Sequence, residues 1–153
     1  MPTLKERIDA DIKDAMRAKD ELRSNVVRML KSAVKYKEVE PNAKPLDDAG
    51  VMTVIATLIK QRRDSVEQYK TGGRVDLAEK EEKEIAVLMG YLPQQLSAAE
   101  LFAAVAEGIK EANAKGPKDM GAVMKVLTPK LKGKAEGKAI SDEVKAQLSK
   151  LGG

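Results

Sequence analysis

Histidine and cysteine are both absent from the 153 residues. That excludes disulfides, thiolate or imidazole metal ligands, cysteine nucleophiles and Ser-His triads together. Acid-base or nucleophilic chemistry would fall to carboxylates, lysines, tyrosines or a Ser-Lys pair, and no spacing in the chain marks any of these. A P-loop is excluded too, because no Gly-x-x-x-x-Gly-Lys-Ser/Thr arrangement occurs. Long apolar runs are missing from the N-terminal "MPTLKERIDADIK", which carries charge every few residues. The reading from these absences is a cytoplasmic protein with no cofactor, metal or membrane partner.

Charge is plentiful but nearly balanced. The formal net charge is +4, a weak pointer to a polyanionic partner. Its distribution says more. Residues 1–96 carry 18 basic and 17 acidic side chains, whereas residues 97–153 carry 10 and 7. All seven arginines lie at or before Arg74, so the second part would meet a partner through lysines alone. Lysine is a flexible point charge rather than a bidentate fork, which favours backbone phosphates over base edges.

Helical periodicity dominates, and no alternating strand pattern competes with it. Thr3 and Glu6 form a Thr-x-x-Glu capping box ahead of Leu4, Ile8, Ile12 and Met16. Asp20 can cap a second helix presenting Leu22, Val26, Met29, Leu30 and Ala33, and "EPNAKPLDD" ends it and lets Asp47 start a third. Val51, Ile55, Leu58, Ile59, Val66 and Tyr69 continue to "TGG", where Gly72 or Gly73 can take the left-handed C-cap conformation. A fourth helix is predicted from about Asp76 to Met89. Beyond residue 96, Leu101, Ala104, Val105, Ile109 and Ala112 mark a fifth. Asp119 can cap a sixth, disturbed at Pro129, and Ser141 can cap a seventh.

Two charges interrupt the apolar stripes. Arg62 sits between Ile59 and Val66, and Glu81 between Leu77 and Ile85. The short "TGGR" connection packs these helices antiparallel, so Arg62 is expected to meet Glu81, or its neighbour Glu84, as a partly buried structural ion pair. A carboxylate facing an arginine is held ionised and is a poor proton acceptor. Glu81→Gln is then expected to cost stability while sparing ligand binding.

"GYLPQQLSAAEL", residues 90 to 101, reads as stop, turn and restart. Gly90 ends the fourth helix, Pro93 cannot continue it, and Ser97 with Glu100 forms a second capping box inside a Leu96/Leu101 staple. Gly90, Tyr91, Leu92 and Pro93 therefore make an interdomain joint. Tyr91 and Leu92 are its apolar pegs, with the phenol edge left near water. The predicted fold is all-α, with an N-terminal domain of about four helices over residues 1–92 and a small three-helix domain over residues 93–153.

"KLKGKAEGK", residues 130 to 138, is the most biased stretch. Lys130, Lys132, Lys134 and Lys138, with Lys118 and Lys125 nearby, could converge on phosphates, helped by main-chain N–H groups at Gly133 and Gly137. From composition alone a solvated loop that maintains solubility is the simpler account, and no aromatic residue there could stack on a base.

The segments "SNVVRMLKSAV", "RVDLAEKEEKEI", "YLPQQLSAAEL", "MGAVMKVLTPKLKGKAEGK" and "ISDEVKAQLSKL", in this order and spacing, resemble the GatB/YqeY family over essentially the whole chain. The resemblance implies an all-helical N-terminal domain followed by a small helical domain similar to the tail of the B subunit of tRNA-dependent amidotransferase. That tail touches the outer part of tRNA, while amide transfer occurs in a larger domain with no counterpart here. Carried over, the role falls on Lys125, Lys130, Lys132, Lys134 and Lys138, and the reading of the loop itself adds Lys118 and Gly133 to the candidate tRNA-binding set. Where relatives often show Arg-Ala-Asp, this chain has Lys134, Ala135 and Glu136, so the contact should be more electrostatic and more salt-sensitive.

The expected function is a noncatalytic tRNA-binding or tRNA-metabolism accessory protein. One alternative is a component of a glutamine-dependent carbon-nitrogen ligase, an aminoacyl-tRNA amidotransferase active only in a complex. Another is a helical protein-protein adaptor with an exposed apolar groove between its domains tracking Tyr91, Leu92 and Phe102. The expected partners are tRNA, and amidotransferase subunits or an aminoacyl-tRNA synthetase.

Overall fold

A computed structural model describes residues 2–152. Among the described residues it contains seven α-helices and no strand: α1 (Leu4–Arg17), α2 (Glu21–Glu38), α3 (Asp48–Thr71), α4 (Val75–Met89), α5 (Ala98–Glu111), α6 (Met120–Leu131) and α7 (Gly137–Leu151). A 3-10 turn, Pro117–Asp119, leads into α6. The chain divides into two compact units between Leu92 and Pro93.

The first unit is α1 to α4. Helix starts are fixed by side chains that accept otherwise unpaired backbone N–H groups. Asp20 accepts from Arg23 N–H at 3.1 Å and Asp47 from Gly50 N–H at 2.8 Å. Thr3 caps α1 through one such bond, from Glu6 N–H at 3.2 Å. At the end of α3, Gly73 has φ +74° and Arg74 N–H reaches back to the Tyr69 carbonyl at 2.8 Å. This left-handed cap turns the chain within three residues and lets α4 pack along α3. The core joins Ile8, Val26, Leu30, Ile55, Ile59 and Leu88 from all four helices.

Met16 and Met29 depart from the stripes that placed them inward. They are 52% and 46% exposed. Leu4 and Ile8 fill the inner face of α1, and Val26, Val27, Leu30 and Val34 that of α2. The two methionines fall at the edges of those faces.

The second unit packs α5 against α6 and α7 around Val105, Val123, Leu127, Val144 and Leu148. Ser97 and Glu100 form both halves of the capping box, and Leu96 and Leu101 pack at the edge of this core. Three expectations are corrected. Pro129 does not end α6, which runs on to Leu131. Proline lacks the N–H that would bond four residues back, yet the helix continues for two residues beyond it. Asp119 stands at the α6 N-cap position without capping it, because its carboxylate accepts from Lys115 N–H at 2.8 Å. Helix α7 begins at Gly137, four residues before Ser141, so the lysine stretch is a loop only between Lys132 and Glu136.

Candidate nucleic-acid interface

The lysine segment is assembled from three pieces of backbone. Lys130 belongs to α6, Lys132 and Lys134 to the turn after it, and Lys138 to the first turn of α7. Gly133 occupies the left-handed region at φ +77°, which a side chain would strain. The turn closes with Lys134 N–H donating to the Leu131 carbonyl at 2.9 Å.

Sequence reasoning missed the brace that holds this turn. Gln95 Nε2 donates to the Gly133 carbonyl at 2.7 Å and to the Pro93 carbonyl at 2.9 Å. Leu96 N–H donates to the Lys134 carbonyl at 2.9 Å. Two neighbouring residues of the "PQQL" stretch thus fix two successive carbonyls of the lysine turn. The only sequence signal was a polar residue at an otherwise unremarkable loop position. With its carbonyls held inward, the turn presents Lys132 and Lys134 outward, and both side chains are exposed.

The six lysines do not form one equivalent set. Lys130 pairs with Glu111, so its charge is partly spent within the unit. No ion pair occupies Lys118, Lys125, Lys132, Lys134 or Lys138 among the described residues. Lys118 precedes α6, Lys125 lies at its centre and Lys132 follows its last residue, at intervals of seven. Seven residues are nearly two turns, about 10 Å of rise with only about 20° of drift. The helix between them, "MGAVMKVLTPKL", contains no carboxylate. Gly121 and Ala122, small and exposed, lie between Lys118 and Lys125. The result is a low face lined by three lysines, with Asp119 at the α6 N-cap as the carboxylate beside Lys118.

In the first unit, Arg62 on α3 faces Glu81 and Glu84 on α4. Arg62 Nε lies 3.4 Å from Glu84 Oε2 and 3.9 Å from Glu81 Oε2. These distances give charge attraction, but the N–H is not aligned on either oxygen as a hydrogen bond. Arg62 Nη2 donates instead to the Met29 sulfur at 2.8 Å. Two carboxylates therefore share one guanidinium. Burial first, and then the charge of Glu84, push the Glu81 carboxyl above the ordinary glutamate range, against the pull of Arg62. The expectation of a single carboxylate facing Arg62 is corrected, since two acids approach it rather than one.

Gly90, Tyr91 and Leu92 close the first unit, and Pro93 opens the second. Tyr91 is buried in the first core rather than wet at its edge. Its hydroxyl donates to Asp11 Oδ2 at 2.5 Å, Arg23 Nη2 lies 3.3 Å from Asp11 Oδ1, and the Arg7 guanidinium sits 5.1 Å over the ring. Arg7 also donates to the Gly90 carbonyl at 3.3 Å. Desolvation, followed by the Asp11 hydrogen bond, raises the phenol above the usual tyrosine range. These contacts fasten the end of α4 onto α1 and α2, and they explain Tyr91 without chemistry. Phe102, by contrast, is exposed on α5.

The family model described as "Yqey-like protein" matches residues 5–148. Among curated proteins the chain is similar to "Altered inheritance of mitochondria protein 41, mitochondrial" of Lachancea thermotolerans, with 39% identity over 109 residues, 70% of this chain and 58% of that protein. The protein of the same name in Kluyveromyces lactis is 43% identical over 81 residues, 53% of this chain and 44% of the relative. That of Saccharomyces cerevisiae strain YJM789 is 34% identical over 94 residues, 61% and 51% of the two chains. The chain spans about half the length of these relatives. The expectation of a cytoplasmic protein is overturned by them, because they carry mitochondrial names. It rested on the first thirteen residues, and targeting segments are removable parts of a precursor that say nothing about the folded units.

Proposed function

The chain belongs to the Yqey-like protein family, and from that premise we propose that it is a noncatalytic RNA-binding accessory protein of tRNA metabolism. The contact is made by the second unit. The observation that supports this reading is the carboxylate-free α6 carrying Lys125 between Lys118 and Lys132, beside a lysine turn braced by Gln95 and Leu96. The resemblance of this unit to the tRNA-touching tail of an amidotransferase subunit points the same way. Its lysines supply point charges without bidentate forks or stacking platforms, so affinity comes from the phosphate backbone and base identity contributes little.

Labelled tRNA titrated by fluorescence anisotropy at several salt concentrations tests the reading. Three lysine contacts predict a logarithmic salt slope of about −2 to −3. The Lys118→Glu/Lys125→Glu/Lys132→Glu variant should lose binding, while Lys130→Ala, already paired with Glu111, should change it little. Absence of binding at low salt, or full binding by the triple variant, would remove the proposal.

A further inference from the structure

The outer face of α2 combines exposed apolar side chains with exposed basic ones. Met29 and Tyr36 are one heptad apart, 46% and 71% exposed, and Val39 just past the helix is 69% exposed. Isolated exposed apolar residues are ordinary on protein surfaces. Here three lie within eleven positions on one side of one helix. Arg28 and Lys35, also one heptad apart, are exposed and form a parallel row along the edge of that side. Asn25 and Ser32 lie between the two rows. The helix contains no carboxylate from Leu22 to Lys37.

Neighbouring elements shape both rows. Arg28 Nη2 lies 3.1 Å from the sulfur of Met16, which extends the apolar surface from α1. Buried Arg62 holds the Met29 sulfur from below. Lys31 and Lys37, by contrast, are paired with Asp9 and Glu40.

We infer that this face of α2 docks an acidic amphipathic helix of another protein. Its apolar side chains would lie along Met29, Tyr36 and Val39, and its carboxylates would meet Arg28 and Lys35. The apolar row repeats at the seven-residue interval that a partner helix matches. Methionine, tyrosine and arginine are residue types enriched where proteins meet. A second copy of this chain fits poorly, because an antiparallel pairing that lays Met29 against Tyr36 turns the same flanking row of each copy toward the other, bringing Arg28 and Lys35 near their own like charges. A nucleic-acid strand is also disfavoured. Single-strand sites use successive aromatic platforms, whereas this face has one tyrosine, and Met29 and Val39 offer a phosphate backbone nothing. The inference is independent of RNA binding, which was placed on the second unit.

A fluorescein-labelled helical peptide with leucine at heptad positions a and d and glutamate at the flanking positions serves as probe. Its twin carries lysine in place of glutamate. Both are titrated with the full chain by anisotropy. The acidic peptide should bind, and the lysine twin should bind at least roughly tenfold more weakly. Met29→Ser/Tyr36→Ser and Arg28→Glu/Lys35→Glu should each weaken the acidic peptide by a similar factor. These positions are exposed, and circular dichroism checks that both variants remain folded. Substituting Lys118, Lys125 and Lys132 should leave peptide binding unchanged. No binding, equal binding of the twins, or displacement of the peptide by a single-stranded oligonucleotide that itself requires Tyr36 would overturn the inference. Self-association that disappears with Tyr36→Ser would overturn it as well.

Discussion

At Arg62 one cation is set against two acids, and Glu84 holds the nearer place. Glu81 is the surplus charge, and its carboxyl is raised by burial and by Glu84. The sign of the linkage follows. An acid whose folded pKa lies above its unfolded value contributes stability below the unfolded value, and that contribution is lost as pH rises through the folded one. Unfolding free energy measured by urea titration should therefore decline as pH climbs above the ordinary glutamate range. Glu81→Gln should flatten that decline and leave stability near neutral pH unchanged or slightly higher, reversing the direction expected from a lone ion pair. A loss of stability at every pH would show that Glu81 is the working partner of Arg62. The stripe interruptions at positions 62 and 81 were legible because a charge on an apolar face stands out. Glu84's share was harder to read, since the approach of α3 to α4 decides it. Asp11 as the acceptor for Tyr91 was hidden for the same reason, being 80 positions away with no local pattern linking the two.

At the scale of elements, two glycines on α5 and α6 show why a helix tolerates its least favourable ordinary residue. A Cβ on Gly108 would stand 2.5 Å from Leu127 Cδ2 and 2.7 Å from its Cγ. The bare backbone of α5 is what lets α6 lay Leu127 into the core. At Gly121 a Cβ would meet nothing within 4 Å. Gly108→Ala should therefore destabilise the chain by about 1–3 kcal/mol through overpacking. Gly121→Ala should be neutral or stabilise it by about 0.5 kcal/mol through helix propensity. Thermal unfolding of the two variants distinguishes these signs, and equal effects would mean that the α5–α6 approach is looser than described. Elements themselves were readable from the sequence wherever a cap or a glycine punctuated them, as at Asp20, Asp47, Gly73 and Ser97. The reading failed at α7, because "KAEGKAI" has no strong start signal and Ser141 resembled one. It failed also at Pro129, which α6 carries within its last turn.

The whole molecule has two hydrophobic cores rather than one, and they differ in size. Among the described residues fifteen buried apolar side chains form the first and eight the second. Burial scales the stabilisation available to each, and a unit of about sixty residues is marginal when it relies on one small core. The unit assigned to RNA is thus the one with less stability in reserve. This division was legible from "GYLPQQLSAAEL" because stop and restart signals adjoin there, whereas the unequal cores emerge only from packing. Leu148 is fully buried in the second core. Leu148→Ala should cost about 2–5 kcal/mol locally, a large fraction of what such a unit possesses. Hydrogen exchange followed by mass spectrometry should then show faster exchange across residues 93–152, with residues 2–92 little altered. Retention of tRNA should fall in parallel, while the acidic peptide still binds α2. Acceleration spread evenly over both segments would mean that the two cores open as one cooperative body, and the assignment of separate ligands to separate units would lose its physical basis.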